Sequence, residues 1–145
     1  MTPYWDGQAR GAFVGLSGLH GKAHLYRAVL EGLALEQRLI IEGIEATTGQ
    51  HISEIRALGG GSYSRVWCQI LSDVLRRPIH LVNEQESTAL GAGMLAAAAG
   101  GVHVDILSAA KNMSGVGHAY QANQTKSDAY DDIFDTYKDI YPSLK

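Results

Sequence analysis

The feature that most constrains this chain is a regular alternation of apolar runs between residues 52 and 99. In chain order, the pattern predicts a strand over Ile52–Leu58, a helix over Ser64–Arg77, a strand over Ile79–Val82 and a helix over Thr88–Ala99. Pro78 separates the first helix from the second strand, because the residue before a proline avoids helical backbone. Strands joined by a helix pair in parallel, so the alternation predicts an α/β fold with a strand–helix–strand–helix core.

Further elements are expected on either side of this core. A long helix is predicted over Lys22–Thr47 and a C-terminal helix over Thr125–Tyr141, because apolar residues recur there at helical spacing. Residues 1–18 look irregular or extended, with Ala12–Val14 as the best strand candidate among them. We expect a single domain over residues 1–145, which is an ordinary size for one core.

The C-terminal helix carries an apolar stripe with aspartates beside it. The stripe consists of Tyr130, Ile133, Phe134, Tyr137 and Ile140. The aspartates are Asp128, Asp131, Asp132 and Asp135. An aromatic stripe at helical spacing is typical of core packing, and acidic groups near a helix N-terminus suit its dipole. The stripe is therefore assigned to the core and the aspartates to a solvated face.

Composition and charge exclude several classes of function. The formal net charge is −3 and no lysine- or arginine-rich run occurs, which argues against nucleic acid and polybasic membrane binding. The run Leu90–Gly101 is too short to span a bilayer, and the N-terminus lacks a signal-peptide pattern. The single cysteine, Cys68, excludes an internal disulfide and fits a reducing cytoplasm. Its apolar neighbours indicate a buried structural thiol.

Histidine spacing does not predict a metal site. His20 and His24 have helical i, i+4 spacing, but the glutamate of a zinc-protease motif is missing between them and no cysteine pair lies nearby. No metal ligand is therefore assigned.

Three consecutive glycines, Gly59–Gly61, follow the first predicted strand and lead into the helix that begins at Ser64. Glycine permits positive φ and close approach of a ligand, and ligands bind after strands in open α/β sheets. A Walker A loop is excluded because no Gly-Lys-Ser/Thr closes the turn. Gly59-x-Gly61-x-x-Ser64 nearly fits a dinucleotide fingerprint, with Glu84 placed as the ribose acid. These residues alone leave open that fingerprint, another nucleotide site and a purely structural turn.

Other segments resemble the FGGY family of carbohydrate kinases. Gly11–Leu16, followed after seven residues by His24–Glu31, is similar to the second signature of that family. Upstream, Thr2–Asp6 and Ala9–Gly11 look like the lead-in to that signature. The downstream segments that look like the C-terminal domain of the family, in the same order, are Leu58–Trp67, Gln69–Leu75, Pro78 and Glu86–Ala92. The resemblance covers nearly the whole chain and is nearest to the xylulokinase-like branch.

The resemblance implies an enzyme that transfers the γ-phosphoryl group of ATP to a hydroxyl of a sugar or polyol, with a xylulose-like substrate favoured. The family has two actin-like, ribonuclease-H-like ATPase domains, and this chain corresponds to part of the second. The match to the adenosine motif implies that Gly60 and Gly61 admit the nucleotide, that Gly59 shapes the turn, and that Ser64 hydrogen-bonds in the adenine–ribose region. The implied cofactors are ATP and Mg²⁺, the latter held mainly through phosphates and through residues outside this chain.

The resemblance also implies that this chain holds only part of a kinase. The family's N-terminal domain, catalytic aspartate and sugar pocket would precede Met1. Asp6, Asp73 and Glu84 do not match the family's base, so no catalytic residue is assigned. We expect a chain that is inactive alone and that forms a homo-oligomer through an apolar face exposed by truncation.

Two alternative functions and one departure from the family pattern remain beside the kinase interpretation. An NAD-type dinucleotide-binding fragment and a non-catalytic interaction module are the alternative functions. The segment Val116–Lys126 lacks the proline that often precedes the family's last helix, which concerns the docking of the tail and not the nucleotide motif.

Overall fold

The computed structural model describes residues 4–83 and 86–144. The chain divides into two compact units. We call residues 53–72 and 77–121 the sheet unit, and residues 1–52, 73–76 and 122–145 the helical unit. The expectation of a single domain stays a prediction.

The sheet unit contains the glycine turn. In chain order its elements are β1 (Ile55–Ala57), a 3₁₀ turn (Gly60–Tyr63), α2 (Arg65–Leu75, whose last three residues belong to the helical unit), β2 (Ile79–Val82), α3 (Ser87–Ala99), α4 (Ile106–Met113) and β3 (Val116–Tyr120). The strand order is β1-β2-β3. β1 and β2 pair in parallel, as predicted, and β3 pairs with β2 in the antiparallel direction.

Small and branched side chains form the core of the sheet unit. Cys68 and Ile79 are fully buried, and Ile70 nearly so. The buried hydroxyl of Ser72 lies 2.8 Å from the carbonyl oxygen of Arg77 and 3.0 Å from that of Tyr120. This hydroxyl therefore ties α2 to the segment before β2 and to the end of β3.

The helical unit is built on two long helices, α1 (Lys22–Thr48) and α5 (Gln124–Leu144). Gly49 ends α1 in the left-handed conformation at φ 67°, and its N–H donates to the carbonyl of Glu45 at 2.8 Å. Glycine is favoured at this position because it adopts positive φ without steric cost. Ala34 and Leu35 of α1 and Phe134 of α5 are buried, so each helix contributes apolar residues to the core of this unit.

Most of the predicted architecture is confirmed. The strand–helix–strand–helix core and both flanking helices are present, with ends shifted by a few residues. The strand proposed at Ala12–Val14 is wrong: that segment is irregular, and Phe13 and Val14 are exposed without a paired strand. The 3₁₀ turn, α4 and β3 were not predicted. Within the described residues, no helix is both long and apolar enough to cross a bilayer.

Candidate functional site

The glycine turn begins with a backbone conformation that is nearly exclusive to glycine. Gly59 has φ 83° and ψ −177°, a region in which a Cβ clashes with the neighbouring backbone. Through this conformation the chain leaves β1 and enters the 3₁₀ turn of Gly60–Tyr63. The backbone angles alone account for glycine at position 59.

Hydrogen bonds within the turn hold it in shape. The Ser62 N–H donates to the carbonyl of Gly59 at 3.0 Å, and the Ser62 hydroxyl donates to the same oxygen at 2.7 Å. The Ser64 N–H donates to the carbonyl of Gly61 at 3.1 Å. The buried Cys68 thiol lies 3.4 Å from the carbonyl of Ser62 and supports the turn from within. The turn is therefore shaped by hydrogen bonds within the chain.

The other two glycines have different surroundings. A Cβ on Gly61 would lie 3.2 Å from Nε1 and 3.3 Å from Cδ1 of Trp67, so the indole ring would have to move by a few tenths of an ångström to admit a side chain there. A Cβ on Gly60 would meet nothing within 4 Å. Gly60 is exposed and its φ lies outside the left-handed region, so neither packing nor backbone strain accounts for glycine there.

Ser64 begins α2 and caps it. Its hydroxyl oxygen accepts from the N–H of Trp67 at 3.2 Å, the usual bond from an N-cap side chain to the third helical residue. Its carbonyl accepts from the Cys68 N–H at 2.9 Å. The hydroxyl proton stays available to donate outward, so capping and ligand binding are compatible at this residue.

Apolar side chains flank the turn at the surface. Leu58, Tyr63 and Val66 are all more than half exposed. Such side chains offer the planar and aliphatic contacts on which a nucleobase packs. Burial raises the pKa of the Cys68 thiol, so this cysteine remains a neutral structural group beside the turn, as predicted.

The histidine pair singled out in the sequence bonds to the backbone. His20 Nδ1 accepts from the Ser17 N–H at 2.9 Å, and His24 Nδ1 accepts from the Gly21 N–H at 3.1 Å. These bonds shape the turn before α1 and its first residues. Over residues 4–83 and 86–144, no group of three or more histidine, cysteine, aspartate or glutamate side chains is arranged to hold a metal ion.

The carboxylates considered for catalysis take structural positions where they are described. Asp6 accepts from the Gln8 N–H at 2.8 Å and from the Tyr141 hydroxyl at 2.6 Å. Asp73 is buried and accepts from the Asn123 N–H at 2.9 Å, just before α5. Glu84, the acid required by the dinucleotide interpretation, lies outside the described residues.

Comparison with known proteins identifies the family. A family profile described as the C-terminal domain of the FGGY family of carbohydrate kinases matches residues 1–100. The chain belongs to this family. The xylulose kinase of Staphylococcus epidermidis is 33% identical over 144 residues, which cover 99% of this chain and 29% of that protein. The glycerol kinase of Petrotoga mobilis is 40% identical over 100 residues, covering 69% of this chain and 20% of that protein.

A solved structure agrees with this assignment. The crystal structure of xylulose kinase from Rhodospirillum rubrum matches with a TM-score of 0.82 and 32% identity, over 96% of this chain and 28% of that one. The fold is accordingly part of the actin-like, ribonuclease-H-like ATPase fold of FGGY kinases. This FGGY chain thus spans less than a third of the length of the kinases it matches.

Sequence reasoning found the turn but missed Trp67, which contacts it, and Asn83, which follows the neighbouring strand. Trp67 sets the space at Gly61, and Asn83 follows β2 at the end of a strand adjacent to β1. Asn83 stands in a short polar stretch that gives no local signal of its own. Its surroundings become visible only when β3 is placed next to β2.

Proposed function

We propose that this chain is the nucleotide-binding C-terminal portion of an ATP-dependent carbohydrate kinase, with adenosine seated on the turn Gly59–Ser64. The observation that carries the proposal is the open space around Gly60. Gly59 is accounted for by its backbone angles and Gly61 by its contact with Trp67, whereas Gly60 has open space and no internal requirement for glycine. Close approach of a nucleoside to the backbone supplies that requirement.

The residues of the turn divide the work of binding. Gly60 leaves the backbone open to the nucleoside, while Ser64 donates its hydroxyl proton in the adenine–ribose region. The exposed side chains of Leu58 and Tyr63 pack against the base. When bound, ATP supplies the γ-phosphoryl group that is transferred to a hydroxyl, with Mg²⁺ neutralising phosphate charge.

Magnesium is not held by a dedicated cage in this proposal. The described residues contain no cluster of three or more side chains suited to a metal ion. Mg²⁺ keeps several waters and is commonly bound through substrate phosphates with one or two carboxylates. We therefore assign it to the phosphates and to residues outside this chain.

A xylulose-like sugar is the favoured acceptor. The similarity to the xylulose kinase of S. epidermidis extends over 99% of this chain, whereas the similarity to the glycerol kinase of P. mobilis stops at 69%. The longer alignment includes the C-terminal helix, which supports the xylulokinase-like branch. A polyol acceptor is the second choice within the same reaction class.

The isolated chain is proposed to lack sugar kinase activity. Phosphoryl transfer needs a base for the attacking hydroxyl as well as positioned phosphates. Asp6 and Asp73 are engaged by backbone N–H groups and match no family base. Sugar-dependent release of ADP by the purified 145-residue chain, at a rate above that of a heat-treated sample, contradicts this part of the proposal.

Thermal unfolding with nucleotides tests the binding proposal. We expect ADP at about 100 times its Kd to raise Tm by roughly 5–10 °C, and NAD to leave it unchanged. Gly60→Leu places a side chain in the open space and is expected to abolish the ADP effect while retaining the Tm of the free chain. Gly18→Leu is the matched control, because Gly18 is also exposed with nothing within 4 Å of a Cβ.

The outcomes separate the alternative functions. A response to NAD and not to ADP favours the dinucleotide-binding fragment. A wild-type chain that responds to neither favours the interaction module. An ADP response that survives in Gly60→Leu places the nucleotide elsewhere and contradicts the site.

We also propose that the chain is cytoplasmic and forms a homo-oligomer. Val104 is 97% exposed, and Val102 and Leu107 beside it are also largely exposed, so the chain presents an apolar surface that favours association. A free, buried Cys68 suits a reducing compartment. Sedimentation that gives a monomer mass at every protein concentration contradicts the homo-oligomer.

A further inference from the structure

The carboxyl ends of β1 and β2 place two residues at equivalent positions on one edge of the sheet. β1 and β2 are parallel, and Ala57 pairs with Leu81. Gly59 and Asn83 each follow two residues after this pair. Asn83 therefore ends β2 where the glycine turn ends β1, at the edge of the sheet where ligands bind in open α/β folds.

The Asn83 side chain lies against β3 where two glycines leave space for it. Its own backbone N–H donates to the carbonyl of Gly115 at 3.2 Å. A Cβ on Gly115 would lie 2.8 Å from Asn83 Nδ2, and a Cβ on Gly117 would lie even closer to Asn83 Oδ1. Real Cβ atoms do not approach other atoms this closely, so both positions must be glycine for the carboxamide to lie where it does.

An irregularity in the sheet accompanies this arrangement. β3 pairs with β2 through His80 with Ala119 and through Val82 with Val116, so two residues of β3 lie opposite Leu81 alone. Gly117 is one of those two residues. A β-bulge bends the strand and redirects side chains, and bulges occur often beside functional sites.

The carboxamide has a defined place but forms no hydrogen bond with the described part of the chain. Asn83 is exposed, and among residues 4–83 and 86–144 its side chain has no hydrogen-bond partner. An asparagine side chain presents an NH2 group that donates and, beside it, a carbonyl oxygen that accepts. That pair is complementary to the edge of adenine, which presents the N6 amino group as donor and N7 as acceptor.

We propose that Asn83 is a specificity-determining residue that recognises the adenine edge of the bound nucleotide. The inference rests on the proposed function, because it needs a nucleotide at the glycine turn. The amide of Asn83 donates to N7, and its carbonyl accepts from the N6 amino group. Gly115 and Gly117 act as positioning residues, since they set the place of the carboxamide without touching the ligand.

Calorimetric titration of the 145-residue chain with three nucleotides tests this. The probes are ADP, inosine diphosphate, which replaces the amino group by a carbonyl, and 2′-deoxy-ADP. We expect the wild-type chain to prefer ADP over inosine diphosphate by about tenfold. Asn83→Ala is expected to weaken ADP binding about tenfold and to remove most of the preference for ADP over inosine diphosphate. Asn112→Ala, an exposed asparagine of α4, is the matched control and should change neither.

The outcomes distinguish this inference from the proposed function. If the wild-type chain does not bind ADP, both the proposed function and the role of Asn83 are overturned. If the wild-type chain binds ADP and the Asn83→Ala variant has the same ADP affinity or the same base preference, the role of Asn83 is overturned. The proposed nucleotide site is then unaffected. A loss in Asn83→Ala that disappears with 2′-deoxy-ADP but persists with inosine diphosphate assigns the residue to the ribose and overturns the adenine contact.

A second variant moves the carboxamide instead of deleting it. Gly117→Ala inserts a Cβ against Asn83 Oδ1 and should reproduce the loss of base preference. Thermal unfolding measures whether the variant folds. Combined with Asn83→Ala, the Gly117→Ala change should have no further effect on ADP affinity, because the displaced group is already gone. Additive losses in the double variant contradict positioning through Asn83.

Discussion

The glycine turn of the sheet unit and the α1–α5 contacts of the helical unit are held by different parts of the chain. The turn is shaped by backbone angles at Gly59 and by short-range bonds to the carbonyls of Gly59 and Gly61. The α1–α5 contacts are long-range and use side chains. The Tyr130 hydroxyl donates to Glu31 at 2.7 Å, for example.

Charged groups of the helical unit largely satisfy one another. The Arg27 guanidinium donates to Glu31 at 2.7 Å and to the Tyr130 hydroxyl at 3.1 Å. The Tyr137 hydroxyl donates to Glu36 Oε2 at 2.9 Å. The second oxygen of Glu36 is an exception, since it is buried without a partner among the described groups. In the turn, by contrast, Gly60 and Ser64 are exposed, and among the described residues the Ser64 hydroxyl oxygen bonds only to the helix that it caps.

The contrast separates residues that maintain the fold from residues available to a ligand. Substitutions in the α1–α5 contacts should change stability. In the turn, a substitution at Gly59 should change stability, whereas a substitution at Gly60 should change nucleotide binding.

The largest effect is expected at Phe134 in α5. Its side chain is 2% exposed, and the guanidinium carbon of Arg38 lies 4.3 Å from its ring centroid. Phe134→Ala should destabilise the chain by about 3–5 kcal/mol, through lost burial and the cavity left behind. Urea unfolding followed by circular dichroism measures the change. Ile133→Ala is the control, since Ile133 is 45% exposed, and an equal loss there would contradict the assignment of Phe134 to the core.

The next largest effect distinguishes two adjacent glycines of the turn. Gly59→Ala forces a Cβ into a glycine-specific region of φ and ψ and should cost about 1–3 kcal/mol. Gly60→Ala meets open space and should change stability by less than about 0.5 kcal/mol. The same urea titration measures both. Equal losses at the two positions would remove the argument that Gly60 has no internal requirement for glycine.

A third effect appears at alkaline pH. Burial, reinforced by the hydrogen bond to Glu31, raises the pKa of Tyr130 to about 12. The unfolded chain releases this proton near pH 10 while the folded chain keeps it. The stability contributed by this group is therefore complete below pH 10 and is lost as pH rises towards 12. We expect the wild-type chain to lose about 1 kcal/mol from this source by pH 11.

Tyr130→Phe isolates that contribution. The variant lacks the titrating hydroxyl, so its unfolding free energy should fall less steeply between pH 10 and 12. Tyr26→Phe is the control, because Tyr26 is 69% exposed and should leave the profile unchanged. Burial also raises the pKa of Tyr137, so part of the slope remains in Tyr130→Phe. Superimposable profiles for the wild type and Tyr130→Phe contradict the prediction.

The elements with strong periodicity could be predicted from the sequence. The alternation from Ile52 to Ala99 was sufficient for β1, α2, β2 and α3 and for their parallel pairing. β3 was missed because the run Val116–Tyr120 contains Gly117 and His118 and has little strand character of its own. It becomes a strand by pairing with β2, a tertiary effect that local propensity does not contain.

The candidate site could be predicted only in part, because some of its features depend on contacts between distant segments of the chain. Gly59–Gly61 stand out in any reading of the sequence, because consecutive glycines after an apolar run indicate a special turn. The different roles of the three glycines depend on a backbone angle and on the distance to Trp67. Asn83 depends on glycines more than thirty residues later in the chain, and one sequence without its fold does not connect them.

The helix-face prediction for the aspartates of α5 was only partly right. Asp131 pairs with Arg38 at 2.7 Å and also with Arg76, which in turn contacts Asp128 at 2.9 Å. These are ion pairs and not a purely solvated face. Arg76 holds this position with φ 54°, a conformation that a non-glycine residue adopts at some cost. The pairing of its guanidinium offsets part of that cost.

The smallest effect tests these ion pairs. Asp131→Asn removes the charge shared by Arg38 and Arg76 and should cost about 0.5 kcal/mol, because partly exposed pairs are screened by solvent. The difference from the wild type should shrink in 1 M NaCl, where the Debye length is about 3 Å. Asp132→Asn, one residue away on the exposed side of α5, should change neither quantity. Urea unfolding at low and high salt measures all three chains. A loss in Asp131→Asn that is equal at both salt concentrations would mean that shape and hydrogen bonding, rather than charge, hold α5 at this point.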